Sequence, residues 1–282
     1  VSAAPAPLVH APGPGGPWHS VRDSLRHHGL AVAYGWAAAW VPPGTAQRER
    51  ELPDGGPDGA RRPPPPRVRE RRSAARFFFR HTVARALGTS PAYVDLAYMP
   101  HGRPYVRGCD GLEVSLSHSG PLLAVALSTR GRVGVDVEAA DRPLGGAGWE
   151  RRVCTPRERA VLAAVPGERR TAELVRMWTL KEAYSKALGQ GMRYAFDRLG
   201  FPSDGPPERS LGPEGHWQPV TGWHCATALP ESAPAYRVSW VYQRRPDAAA
   251  SASGWADADV AAFLAGPGQN DGAVEGALRS PR

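Results

Sequence analysis

The chain has 282 residues, 41% hydrophobic and 22% charged, an ordinary globular composition with enough apolar residues to bury one large core or two small ones. Its net charge of +8 implies an acidic partner, and composition alone does not choose among nucleic acid, an anionic membrane, a polyphosphate ligand and an acidic protein. Three widely spaced cysteines argue against a disulfide framework or a zinc site, and no cationic leader or bilayer-length apolar run is visible, so a cytoplasmic, non-membrane protein is expected.

Glycine (32) and proline (30) cluster in residues 1–17, 42–66, 202–215 and 265–282, which are read as termini, linkers or loops. Before the first loop, a basic stretch from Ser20 to His28 can be helical, and the apolar run from Leu30 to Val41 reads as a first core strand. Residues 42–66 include four consecutive prolines and are expected to form a long mobile loop. A helix follows from Arg67 to Leu87, ended by Gly88. Phe77, Phe78 and His81 mark its apolar side, and Arg69, Arg72, Arg76 and Arg80 form a basic stripe that is either a solvated face or an anion site.

Residues 92–99 read as a strand feeding the turn His101 to Val106, and Ser115 to Gly120 (SLSHSG) as another. The SLSHSG piece resembles a serine nucleophile with its base only superficially. Adjacent strand residues point to opposite faces, so His118 is badly placed to activate Ser117 or Ser119, and no G-x-S-x-G elbow surrounds them. Pro121–Ser128 and Arg132–Glu138, joined by Thr129–Gly131, read as a hairpin. In RVGVDVE the valines alternate, which puts Asp136 and Glu138 on one face. Thr155, Pro156 and Glu158 form a capping-box helix start. A second long helix opens near Thr171 and closes at Gly189, with Leu174, Met177 and Trp178 on its buried stripe and Glu182 and Lys186 one turn apart. Residues 221–230 and 235–243 suggest a closing hairpin, and the tail from 246 to 282 is expected to be disordered.

Taken singly, an acid-x-acid strand is a solvated face and a Glu182–Lys186 spacing an ordinary helical ion pair. Together, three carboxylates with a lysine beside them can hold a hard cation such as Mg2+ against a phosphate ester. The four pieces HGRPYV, SLSHSG, GVDVE and WTLKEAYSKALGQG, in this order, resemble the 4'-phosphopantetheinyl transferases of the Sfp type over roughly residues 70–245.

That resemblance implies an α+β fold of two similar α/β halves related by a pseudo-twofold axis, each a helix on a mostly antiparallel sheet, with the ligand cleft between them. Residues 1–17 are then a flexible N-terminus, 18–131 and 132–245 the two halves, meeting near residues 129–134, and 246–282 the tail. It implies transfer of 4'-phosphopantetheine from coenzyme A to a serine of an acidic acyl or peptidyl carrier protein, as in polyketide or nonribosomal peptide synthesis. A monomer, using Mg2+ with Mn2+ as substitute, is expected, without nucleic acid. The resemblance assigns Asp136, Glu138 and Glu182 to the metal, and Arg76, Arg103, Ser117, His118 and Lys186 to coenzyme A. His118 and Lys186 also have catalytic roles, and Glu158 stands where the family carries a proposed base, a role that competes with its cap. Arg103 replaces the usual lysine and Gln190 another, which keeps open the alternative of a catalytically weak relative that binds coenzyme A or a carrier without transfer.

Overall fold

The computed structural model describes residues 7–44, 65–100, 102–144, 146–202, 209–211 and 216–244. The elements are, in chain order, β1 (Leu8–His10), α1 (Trp18–His28), β2 (Leu30–Trp36), α2 (Pro66–Ala86), β3 (Leu96–Tyr98), β4 (Pro104–Val106), β5 (Glu113–Ser119), β6 (Leu122–Ser128) and β7 (Gly131–Ala139). They continue with α3 (Gly146–Val153), α4 (Pro156–Ala164), α5 (Gly167–Leu188), β8 (Leu199–Gly200), β9 (Arg209–Leu211), β10 (Trp217–Pro219), β11 (Trp223–Ala228) and β12 (Tyr236–Arg244). This is an α+β arrangement. The expectations for most of the proline-rich stretch and for the whole of the tail, as well as His101, lie outside the described residues.

Two sheets carry the molecule. The first has strand order β1-β2-β6-β5 and the second β11-β12-β7, with β1 the one parallel member of the first and all pairs of the second antiparallel. Period-two alternation lets the strands of the first sheet serve two cores. Ala31, Ala33, Leu123, Val125 and Leu127 face Phe78, Phe79 and Val83 of α2. Their neighbours Val32, Tyr34, Leu122, Ala124 and Ala126 face Val133, Val135, Val137, Val238 and Trp240 of the second sheet. On that sheet's far side Trp223 and Val241 meet Leu180, Ala183, Tyr184 and Ala187 of α5. The layers therefore run helix, sheet, sheet, helix, which is why β6 is apolar at nearly every position rather than at every second one.

The hairpin expected between residues 121 and 138 is not formed. β6 lies between β2 and β5, and β7 pairs instead with β12 over nine residues, so the chain changes sheets at Thr129–Arg130. Both edges of β6 are taken by seven-residue ladders, and the turn signal carries no information about these sequence-distant competitors. Two boundaries also move. α5 opens at Gly167, after Pro166, because its first polar turn carries no apolar period, and the run after Leu30 stays extended only to Trp36 before a 3-10 turn at Ala37–Trp40. The strand expected over 92–99 is confined to Leu96–Tyr98, behind a 3-10 turn at Pro91–Tyr93 that the Ser90 side chain caps. The closing hairpin (β11 with β12) and the left-handed Gly189 that ends α5 are as expected.

As the edge of the second sheet, β7 has backbone N–H groups that no strand satisfies. Serines of β5 supply the acceptors: the Val135 N–H donates to Ser115 Oγ at 3.1 Å and the Val137 N–H to Ser117 Oγ at 3.4 Å. The alternating serines of SLSHS thus stitch one sheet to the other. On the opposite side of β7, Gly134 meets the backbone of α5. A Cβ added there falls 1.9 Å from Ala183 O and 2.9 Å from Ala187 N, so only glycine permits this approach.

Gly134→Ala should therefore force helix and strand apart and lower the unfolding free energy by about 1–3 kcal/mol, the usual cost of overpacking. Urea denaturation of the variant checks this, and an unchanged midpoint would contradict the close approach.

Candidate active site

The contact at Gly134 decides what stands next to what. Ala183 is held against β7, and its neighbours Glu182 and Lys186 are thereby brought over Asp136, two residues along the strand. The Lys186 Nζ donates to Asp136 Oδ1 at 2.7 Å, to Ser117 Oγ at 2.9 Å and to the Val135 carbonyl at 3.2 Å. The Ser117 hydroxyl donates to the same Asp136 Oδ1 at 2.7 Å. One oxygen of Asp136 is thus doubly bonded, whereas its Oδ2 and the Glu182 Oε1 are buried without a hydrogen-bond partner among the described residues.

Two such oxygens close together are costly as anions. Burial first, then the negative charge of Asp136, pushes the Glu182 carboxyl up to about 7, against the smaller opposing pull of Lys186 and Arg142. A hard divalent cation placed on these orphaned oxygens would remove both penalties, so the donor set fits Mg2+ or Mn2+. The third carboxylate differs. Glu138 accepts from the Ser119 hydroxyl at 2.6 Å through Oε2, and its Oε1 pairs with Arg142. Among the described residues no three acidic, histidine or cysteine side chains already stand as a ready-made cage.

The other residues singled out in the sequence divide into two groups. His118 stands at the exposed end of β5, one residue beyond Ser117 and on the opposite face. Partial burial, then the cations Lys186, Arg71 and Arg72, lower its pKa, with Asp136 opposing, which favours the neutral imidazole. Arg76 is exposed on α2, a little over one turn past Arg71 and Arg72. Arg103 is not part of the cluster: its guanidinium is bound to Glu113 at 2.5 Å, at the other end of β5 and roughly 16 Å along the strand from His118.

Glu158 forms the expected capping box, accepting from the Thr155 N–H at 2.7 Å while the Thr155 Oγ1 accepts from the Glu158 N–H at 3.2 Å. Its side chain is 3% exposed and also accepts from the Phe201 N–H at 2.9 Å and from Lys181 Nζ at 2.5 Å. Lys181 is fully buried and gives its remaining protons to the Val153 and Phe196 carbonyls. Burial pulls its pKa down, and Glu158 works against that shift. Sequence reasoning missed this pair, although the signal existed: Lys181 falls seven residues after Leu174 on the same buried stripe, where a lysine needs an anionic partner.

Comparison with known proteins bears on this site. A model of the 4'-phosphopantetheinyl transferase superfamily matches residues 132–228, which include Asp136, Glu138, Glu158, Glu182 and Lys186. The chain is 32% identical to the 4'-phosphopantetheinyl transferase HetI of Nostoc sp. over 44% of its own length and 54% of that protein's. It is 27% identical to a 4'-phosphopantetheinyl transferase of Bacillus subtilis, over 49% of this chain and 60% of the other. With AcpT of Escherichia coli O157:H7, also a 4'-phosphopantetheinyl transferase, it shares 33% identity over 54% of this chain and 68% of AcpT. The aligned part of the chain thus spans 54% to 68% of the length of these relatives.

The buried carboxylate sets a pH dependence. Glu182 binds its proton more tightly in the folded chain (about 7) than at its ordinary value of 4.5, so folding is unpenalised below pH 4.5 and loses stability as pH rises to about 7. The loss should total roughly 3 kcal/mol in metal-free protein. Unfolding free energies measured from pH 4.5 to 8 should show this slope in the wild type and a flatter one in Glu182→Gln; parallel slopes would refute it.

Proposed function

The chain belongs to the 4'-phosphopantetheinyl transferase superfamily, and from that premise we propose that it moves 4'-phosphopantetheine from coenzyme A to a serine of an apo acyl or peptidyl carrier protein. The observation that carries the reading is the cluster of Lys186, Asp136, Ser117 and Glu182 where β5, β7 and α5 meet, with two orphaned carboxylate oxygens. Each major sheet is backed by one long helix, of 21 residues in α2 and 22 in α5. This supports two halves meeting at Thr129–Arg130, related by a pseudo-twofold axis, with coenzyme A along the β5–β7 seam. The net charge of +8 suits an acidic carrier.

In the reaction the carrier serine oxygen attacks the phosphorus that bears the pantetheine arm, the bond to adenosine 3',5'-bisphosphate breaks, and the serine proton leaves to solvent. Asp136, Glu182 and Glu138 would hold a divalent cation, which when bound supplies charge neutralisation on the pyrophosphate. Lys186, fixed by three acceptors, presents its ammonium to the departing phosphate, and neutral His118 donates a ring N–H to the pyrophosphate. Arg76 is assigned to the 3'-phosphate of coenzyme A. Arg103 retains a phosphate role only if it leaves Glu113.

Transfer of this kind passes through a loose transition state in which positioning and charge neutralisation dominate. We therefore assign Glu158 to holding α4 against α5 as cap and counter-ion of Lys181. Its burial and its three bonded donors support that role over that of a base.

The test is intact-mass measurement of apo carrier proteins incubated with coenzyme A, Mg2+ and the enzyme. At least one carrier should gain a phosphopantetheine arm, and Asp136→Ala or excess chelator should abolish the gain; transfer that persists in chelator overturns the metal assignment, and coenzyme A binding without any transfer overturns the activity. In the same assay Glu158→Gln should keep kcat within a few fold, while breaking the buried pair lowers stability by about 3 kcal/mol. A hundredfold fall in kcat, the scale of acid–base catalysis, with unchanged melting would make Glu158 the base instead.

A further inference from the structure

Glu138 is the member of the carboxylate cluster whose oxygens are both occupied. Ser119, from β5, donates to Oε2 at 2.6 Å, and the guanidinium of Arg142, four residues past Glu138 in the loop that leaves β7, pairs with Oε1. Asp136 Oδ2 and Glu182 Oε1, by contrast, are buried without partners among the described residues. The same Arg142 also lies near enough to Glu182 to favour its charged form. A guanidinium therefore already neutralises the charge of Glu138 and, more weakly, favours that of Glu182.

We propose that Arg142 is a built-in counter-cation of this cluster, and that a divalent cation engages Glu138 only by displacing it. The inference rests on the reading above that puts a cation on Asp136, Glu138 and Glu182. Two observations make Arg142 the displaceable partner. Its side chain is 43% exposed against 12% for Glu138, so it can leave into water while the carboxylate stays. Lys186, the other cation at the site, is fixed by three acceptors and has no comparable freedom. Two cations on one carboxylate repel each other, so metal binding includes the work of breaking the Arg142 pair. While the metal is absent, the pair tempers the repulsion between carboxylates and fixes the Glu138 side chain. Arg142 thus sets the cation concentration at which the site fills.

The prediction has an unusual sign: removing a residue beside the metal site should tighten the metal. Mg2+ alone, titrated calorimetrically at fixed ionic strength into the full chain, should bind Arg142→Gln about two- to fivefold more tightly than wild type, the scale of a partly exposed ion pair. Asp136→Ala should lose the binding. If Arg142→Gln binds Mg2+ equally or more weakly while Asp136→Ala abolishes binding, Arg142 supports the site rather than competing for it, and the inference falls while the metal assignment stands. If Asp136→Ala binds as wild type does, the metal assignment fails and the inference with it.

Discussion

The site depends on one steric constraint, the absence of a side chain at Gly134. Because a Cβ there would fall 1.9 Å from the Ala183 carbonyl oxygen, the backbone of α5 lies directly on β7. That distance sets Glu182 and Lys186 over Asp136, and through Lys186 it reaches Ser117 on the other sheet. The serines of β5 then close the seam by accepting the N–H groups of β7 that no strand pairs. Strand, helix and seam are three elements of one arrangement, and moving any of them changes the distance between charges that a phosphate ester would meet.

Two lysines on successive turns of α5 show how burial divides labour. Lys181 is sealed in, and each of its protons has a fixed acceptor, one of them Glu158; breaking such a pair costs stability because the remaining charge stays buried. Lys186 is partly exposed and shares Asp136 with Ser117 at the mouth of the seam, where its held ammonium faces an arriving anion. The first lysine belongs to the packing of α4 on α5, and the second is assigned to chemistry. Their sequence context, one residue before Glu182 and four after it, does not tell them apart; the helix phase does.

Much of the local structure was legible in the sequence because it obeys local rules. Thr155-Pro-x-Glu158 states its capping box, Gly189 its left-handed helix end, and the alternation of residues 235–243 its strand. What could not be read depends on distant competitors. The Ser128–Gly131 turn looks like a hairpin until β2 and β12 claim the edges, and neither strand names those partners. Likewise the motifs place Asp136, Glu138 and Glu182 at one site, yet no spacing reveals that Arg142 occupies Glu138, that Arg103 is tied to Glu113, or that SLSHS is a row of acceptors.

A cation and a pyrophosphate are proposed to meet at the β7–α5 contact. The most direct test is anomalous diffraction from crystals of the full chain grown with Mn2+ and coenzyme A. A manganese peak is expected within about 2.1 Å of Asp136 Oδ2 and Glu182 Oε1, with the coenzyme pyrophosphate against it and within hydrogen-bond reach of Lys186. A manganese peak elsewhere, or a pyrophosphate bound away from Lys186, would contradict it.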